Sequence, residues 1–226
     1  MPGPTFDRLY VWERPVRLYH WVTVLAMVFL VATGFFIGTP PGLRTGPDAS
    51  SSYWFGWVRF LHFTAAYVFV FAFVVRVYWM FAGNKYARWD QFLPLTPRKI
   101  KHHIAEMFSV LKVDILQIQK KPVDYVGHNA LASASYLGLF AATIFQTVTG
   151  FGLYAAMSPS WFPHLFAWVV PFMGGDGVVR QWHHAVTWVF VVFAMIHVYL
   201  ALFHDRIEAR GEVSSIISGT RFVERR

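Results

Sequence analysis

Long uncharged runs divide the chain, and their spacing predicts four membrane-crossing helices. No residue between Arg17 and Arg44 is charged. A bilayer crossing takes roughly 20 apolar residues, so this run predicts a helix over 18–38 that ends in Gly38-Thr39-Pro40-Pro41-Gly42. A basic flank before an apolar run also begins a secretory signal. Here the run is long and no small-residue cleavage site follows it, so the helix is expected to be retained. A second helix is expected over 54–82, with Arg59 near its start and Arg76 near its end, both placed to snorkel toward an interface. The stretch from Asp124 to Asp176 is uncharged throughout. It predicts a helix over 131–157, then a loop broken by Pro159, Pro163, Pro171 and Gly174-Gly175. Trp161, Phe162, Phe166 and Trp168 make that loop an interfacial, amphipathic segment. Arg180 and Asp205 bracket a fourth helix over 181–204.

The connection 83–125 is of a different kind. Within 100–119, Ile104, Met107, Phe108, Leu111, Ile115 and Ile118 fall roughly on one helical face. That pattern predicts a helix lying on the cytoplasmic interface. No internal repeat or low-complexity segment is apparent. The expected fold class is therefore an all-α integral membrane protein, a four-helix bundle forming one domain over 1–226.

Composition agrees with this reading. Of 226 residues, 14% are charged against 56% hydrophobic, whereas a soluble domain carries about a quarter charged. Cysteine is absent. That excludes disulfides, thiolate-held iron–sulfur clusters, cysteine-ligated zinc and covalently attached c-type haem. The net charge of +8 would suggest a nucleic-acid partner if it were spread over a soluble surface. Sorted by side of the membrane, however, seventeen lysines and arginines fall on one side, sixteen in the two termini and the 83–125 connection and Arg76 at the same end of its helix. Only Arg44, Arg59 and Arg180 fall on the other side. By the positive-inside rule both termini are cytoplasmic, and the charge is an orientation signal. No nucleic-acid partner is expected.

Ionisable groups inside a span are costly and point to function. Five of the ten histidines lie in or at the ends of predicted spans: His20, His62, His183, His184 and His197. His183 and His197 are 14 positions apart. On one helix this places them within about 40° of one face and about 21 Å apart along the axis. His184 stands about 140° from the face of His197, which makes His183 the better partner in a two-level arrangement. Helix direction then sets the levels. His62 and His183 share the outer level, and His20 and His197 share the inner one. Each level holds two imidazoles from different helices. A six-coordinate b-type haem needs just such a pair, the porphyrin filling the other four iron positions. Aromatic walls would enclose a flat apolar cofactor, and small residues such as Gly34, Gly56, Ala65, Ala66, Gly150 and Gly152 would let it approach a backbone. His184 reads as a supporting or propionate-contacting residue. His102 and His103 read as solvated, His128 as a helix-start residue, and His164 as a loop residue. His204, beside Asp205 and Arg206, reads as a capping group.

At these residues the chain resembles the b-type cytochrome subunit of membrane-bound respiratory nickel–iron uptake hydrogenases. The matching segments run almost end to end: RPVRLYHW at 14–21, TGFFIG at 33–38, WVRFLHFTAAYVF at 57–69, and RVYWMFAGNKYAR at 76–88. They continue with GHNALA at 127–132, TGFGLY at 149–154 and WHHAVTWVFVVFAMIHVYLAL at 182–202. The resemblance implies a four-helix cytochrome with two b haems, and His20, His62, His183 and His197 match the family's ligand positions. The His183-His184 doublet leaves that ligand's register open. It also implies a subunit of the bacterial inner membrane that anchors a periplasmic hydrogenase. The contact would be the C-terminal transmembrane helix of the small subunit, and through it the large subunit. Electrons from H2 oxidation would pass to a membrane quinone, with the hydrogen chemistry on another chain.

On that reading Arg17, Arg59, Arg76 and Arg180 are candidate haem-propionate partners, each near an expected propionate level with the right charge. Asn84, Tyr86, His102 and Asp205 are candidate proton or quinone contacts near the inner pair. The related membrane subunit of formate dehydrogenase, or of another quinone-linked oxidoreductase, is the alternative within the haem reading. A histidine-lined ion transporter is the alternative of another class, weakened by the absence of intramembrane Asp or Glu. A pure membrane anchor would explain the aromatics but not the paired levels.

Overall fold

The computed structural model describes residues 6–40, 53–92, 130–208 and 211–224, with 101, 104–105 and 107–109. Strand β1 (Phe6–Tyr10) leads into helix α1 (Arg14–Gly38), followed by α2 (Trp54–Ala82) and a 3-10 turn at Trp89–Gln91. Helix α3 (Ala130–Ala155) is followed by the short helices α4 (Trp161–His164) and α5 (Val169–Phe172). The long helix α6 (Asp176–Glu208), helix α7 (Glu212–Ser218) and strand β2 (Thr220–Glu224) complete the chain.

Four of these helices, α1, α2, α3 and α6, are long and apolar enough to cross a membrane. Their outward apolar residues stay exposed in the isolated chain, among them Leu18, Phe71 and Met195, each about 70% accessible. Lipid is the solvent such surfaces require. Helix α2 coincides with the expected 54–82. Helix α1 begins four residues before its apolar run, because Pro15 fits a first helical turn that needs no amide donor. Helix α6 extends beyond the expected span at both ends. Asp176 in its first turn complements the helix dipole and pairs with Arg180 at 2.5 Å, one turn on. The predicted surface helix within 100–119 lies largely outside the described residues.

By its contacts the chain forms two compact units. The first comprises 1–19, 75–140 and 194–226, the second 20–74 and 141–193. In the first, β1 and β2 pair antiparallel, Phe6 opposite Glu224 and Tyr10 opposite Thr220. This strand pair, joining the two ends of the chain, was not expected from the sequence. Gly219 makes the corner. Its carbonyl accepts the amides of Val11 and Trp12 at 2.8 and 3.0 Å, and its φ of +87° suits a residue without a side chain. The Trp12 indole donates to Ser215 Oγ at 3.2 Å, and buried Arg221 pairs with Glu212. Glu13 Oε2 accepts from Trp79 Nε1 at 2.9 Å and from the Asn84 amide at 2.8 Å.

Asn84 is thus a structural corner. Its side-chain amide donates to Val11 O at 2.9 Å, and its Oδ1 accepts from the amides of Tyr86 and Ala87. Both the nitrogen and the oxygen of the amide are thus engaged in holding the corner. Asp205 Oδ1 likewise accepts the Val213 amide at 3.1 Å, at the turn from α6 to α7.

The second unit holds the remainder of the four long helices with α4 and α5. Its aromatic cluster is centred on Phe151, 3% exposed, which meets Tyr67, Phe162 and Phe166. Phe63 stacks on Tyr154 at 4.1 Å. The expected interfacial loop is the pair α4 and α5. Pro163 and Val169 face inward, while Trp161, Trp168 and Phe172 are exposed.

Candidate functional site

Within the second unit lies a cavity of about 1040 Å³. Gly34 and Phe35 of α1, His62 of α2, Gly150 of α3, and His183 and His184 of α6 all line it. Most of the remaining wall is aliphatic or aromatic, including Val31, Phe63, Val70, Phe151 and Trp188. Cavities of this size are at the upper end of those that take small molecules and cofactors.

The two histidines are held in the same way. Thr33 stands inside α1, where its hydroxyl donates to the carbonyl of Phe29 one turn back. The same oxygen lies 2.9 Å from Nδ1 of His62. The next residue is Gly34, and a Cβ there would sit 3.3 Å from Cε1 of the His62 ring. In α3, Thr149 donates to Phe145 O at 2.7 Å, and its Oγ1 lies 2.9 Å from Nδ1 of His183. Gly150 follows, and a Cβ there would sit 3.0 Å from His183 Cε1. The backbone of His183 is fixed as well, its carbonyl accepting from Gln146 Nε2 at 3.0 Å and from Thr187 Oγ1 at 2.9 Å. The glycines expected to admit a macrocycle at 34 and 150 therefore admit the imidazoles themselves.

His184 is placed differently. Its ring meets Phe35 edge-on at 5.1 Å, and a Cβ on Gly38 would lie 3.2 Å from its Cε1. Arg59 and Arg180 also line the cavity. Arg59 approaches Met157 Sδ at 2.7 Å, and Arg180 is held by Asp176. Gln146 Oε1 and Thr147 Oγ1 are buried and lack a hydrogen-bond partner among the described residues, and both residues line the cavity.

The other predicted residues lie elsewhere. His20 belongs to the second unit, with its ring edge-on to Trp21 at 5.2 Å, and is not among the residues lining the cavity. His197 belongs to the first unit and is exposed. Arg17 donates to the carbonyl of Ile217. Arg76, 3% exposed, donates to Ala87 O at 3.1 Å, with its guanidinium 5.0–5.5 Å from the ring centres of Tyr19, Phe92 and Tyr136. Nε of Arg17 and Nε of Arg76 are buried without a partner among the described residues. His164 bonds through Nδ1 to Ser160 O at 2.7 Å. His102, His103 and His128 lie outside the described residues.

Thr33, Thr149 and Gln146 were missed by sequence reasoning. The available signal was the T-G-F triplet, which occurs at 33–35 and again at 149–151.

Comparison with known proteins agrees with the architecture. Residues 11–219 match the family described as prokaryotic cytochrome b561. A protein of Cupriavidus necator named "Probable Ni/Fe-hydrogenase B-type cytochrome subunit" is 40% identical over 97% of this chain and 89% of its own length. The Azotobacter vinelandii protein of the same name is 41% identical, over 94% of this chain and 88% of its own. In Escherichia coli K12 the "Probable Ni/Fe-hydrogenase 1 B-type cytochrome subunit" is 35% identical, over 94% of this chain and 90% of its own.

Proposed function

Since the chain belongs to the prokaryotic cytochrome b561 family, a family of helical membrane bundles, we propose that it is the diheme b-type cytochrome subunit of a nickel–iron hydrogenase. In this role it anchors the periplasmic enzyme through the small subunit's C-terminal transmembrane helix. It passes electrons from H2 oxidation to the quinone pool of the bacterial inner membrane.

One observation carries the reading: His62 and His183, from two helices, present similarly anchored imidazoles to one large apolar cavity. The donor set fits haem. Among the described residues no cluster of three or more His, Cys, Asp or Glu could hold a metal ion alone. A pair of imidazoles suits an iron whose other four positions are filled by a macrocycle. Bound there, haem supplies a one-electron ferric–ferrous couple. The protein supplies the rest. His62 and His183 would hold the outer group, and the apolar wall would keep water from it. Arg59 and Arg180, on the same wall, would hold carboxylates of the cofactor by charge-assisted hydrogen bonds. His183 is preferred to His184 because it carries the threonine and glycine setting that His62 also has.

His20 and His197 are the donors of the inner group. Arg17 and Arg76 serve that level, each retaining an Nε–H for a propionate. The paired strands that join the two chain ends, together with the basic residues around them, support cytoplasmic termini. The quinone would be reduced near the inner pair.

The test is a reduced-minus-oxidised spectrum with haem quantitation on the purified complex. His62→Ala or His183→Ala is expected to remove the outer haem, and His20→Ala or His197→Ala the inner one. Two haems per chain after any of these changes would overturn the assignment. A colourless, correctly assembled wild type would instead favour a histidine-lined ion pathway.

A further inference from the structure

We propose that Thr33 and Thr149 are positioning residues that set both the tautomer and the electron-donating strength of the two imidazoles facing the cavity. The proposal rests on His62 and His183 being the axial donors.

A threonine hydroxyl has one proton to give and two lone pairs to offer. In Thr149 the proton is directed to Phe145 O at 2.7 Å, and Gln146 O is distant at 3.4 Å. In Thr33 it is directed to Phe29 O, with Leu30 O at 3.5 Å. The contact of 2.9 Å from each Oγ1 to its imidazole Nδ1 therefore has the oxygen as acceptor. Nδ1 must carry the hydrogen in both rings. In a neutral imidazole that leaves the lone pair on Nε2, the nitrogen a metal can use. The opposite tautomer would set two lone pairs against each other inside a helix bundle.

The arrangement is built before any cofactor arrives. A β-branched threonine has few side-chain rotamers in a helix, and the bond to the carbonyl one turn back holds the hydroxyl. The glycine that follows removes the side chain that would push the ring away. The same device occurs on α1 toward α2 and on α3 toward α6, and the His62 ring has a backbone partner in Leu30 besides. A hydrogen bond accepted from Nδ1–H also raises the basicity of Nε2. A more basic donor favours the ferric state.

The experiment uses the assembled complex with Thr33→Val and Thr149→Val, and with Thr→Ser at each position as the conservative variant. The midpoint potential of each haem is titrated. Redox-difference infrared spectra are recorded with 15N-labelled histidine. Each valine variant is expected to raise the outer potential. A tenfold change in the ferric-over-ferrous preference corresponds to about 59 mV for a one-electron couple. Serine is expected to restore it, and the inner haem is expected to stay unmoved. Full haem content in the valine variants with unchanged potential and unchanged histidine bands would overturn the proposal. If neither valine variant assembles, the labelled wild type decides. Bands of a hydrogen-bonded Nδ1–H on both outer ligands support the proposal, and a free or absent Nδ1–H overturns it. Failure of the ligand reading is seen separately, as retention of both haems by His62→Ala or His183→Ala.

Discussion

Gly150 and His183 approach so closely that one methyl group at position 150 would lie 3.0 Å from the ring carbon Cε1. The corresponding approach of Gly34 to His62 is looser, at 3.3 Å. Interiors packed at this density resist added volume, and overpacking costs about 1–3 kcal/mol. Gly150→Ala is therefore expected to impair outer-haem retention more than Gly34→Ala. Displacing a ligand's support typically costs about tenfold or more in metal affinity. Haem quantitation after dialysis against apomyoglobin would rank the two variants. Equal retention would show that the clearance at Gly150 has no role in seating the ring.

The adjacent histidines separate in the same assay. His184 packs against Phe35 and over Gly38, and among the described residues no threonine hydrogen-bonds its ring. His184→Ala is expected to keep the outer haem, while His183→Ala loses it. The reverse result would move the ligand by one residue, turning it about 100° around α6. That would leave the Thr149 contact without a function.

These contrasts mark what the sequence made legible. Helix α2 was readable to the residue because an apolar run stops at Gly83-Asn84, and the amide of Gly83 closes back on Trp79 O. Helix α6 was underestimated because Asp176, Arg180, Asp205 and Arg206 lie beyond the apolar run yet continue its hydrogen bonding. His62 and His183 were assigned a common level from helix direction, and both line one cavity. Their threonines were passed over, because the recurring T-G-F triplet at 33–35 and 149–151 does not by itself say what the hydroxyl faces. Its meaning comes only from the ring opposite. The pairing of β1 with β2 was equally hidden, since its strands are five residues each and lie at opposite ends of the chain. The structural part played by Asn84 was hidden for a related reason. A polar residue at a membrane boundary looks chemical until its partners, Glu13 and Val11, are brought beside it by the fold.

Arg76 gives a stability prediction. Its guanidinium is buried among three aromatic rings and holds Ala87 O. Desolvated cation–π contacts contribute about 2 kcal/mol. Lysine lacks the planar group that can lie over rings. Arg76→Met and Arg76→Lys are both expected to lower thermal stability by about that amount, read as loss of helical circular dichroism on heating in detergent. The outer haem is expected to remain. Unchanged melting would mean that the cage adds nothing to the fold.

The corner at Gly219 connects the chain ends and offers a test that does not depend on any cofactor. Its φ is +87°, and a Cβ there would lie 2.6 Å from Trp12 O. A side chain at this position meets backbone, which cannot step aside as a flexible side chain does. Gly219→Val is expected to cost about 1–3 kcal/mol from the strained backbone alone. It is also expected to loosen β1 from β2, since the Gly219 carbonyl holds the amides of Val11 and Trp12. The consequence is measurable by proteolysis. In inside-out membrane vesicles, where cytoplasmic termini face the protease, the N-terminal strand of Gly219→Val is expected to be cut faster than that of the wild type. In right-side-out vesicles neither protein is expected to be cut there. Cleavage of the wild-type N-terminus only from the periplasmic face would reverse the orientation inferred from the basic residues. Equal cutting of variant and wild type in inside-out vesicles would show that the strand pair does not protect the chain end.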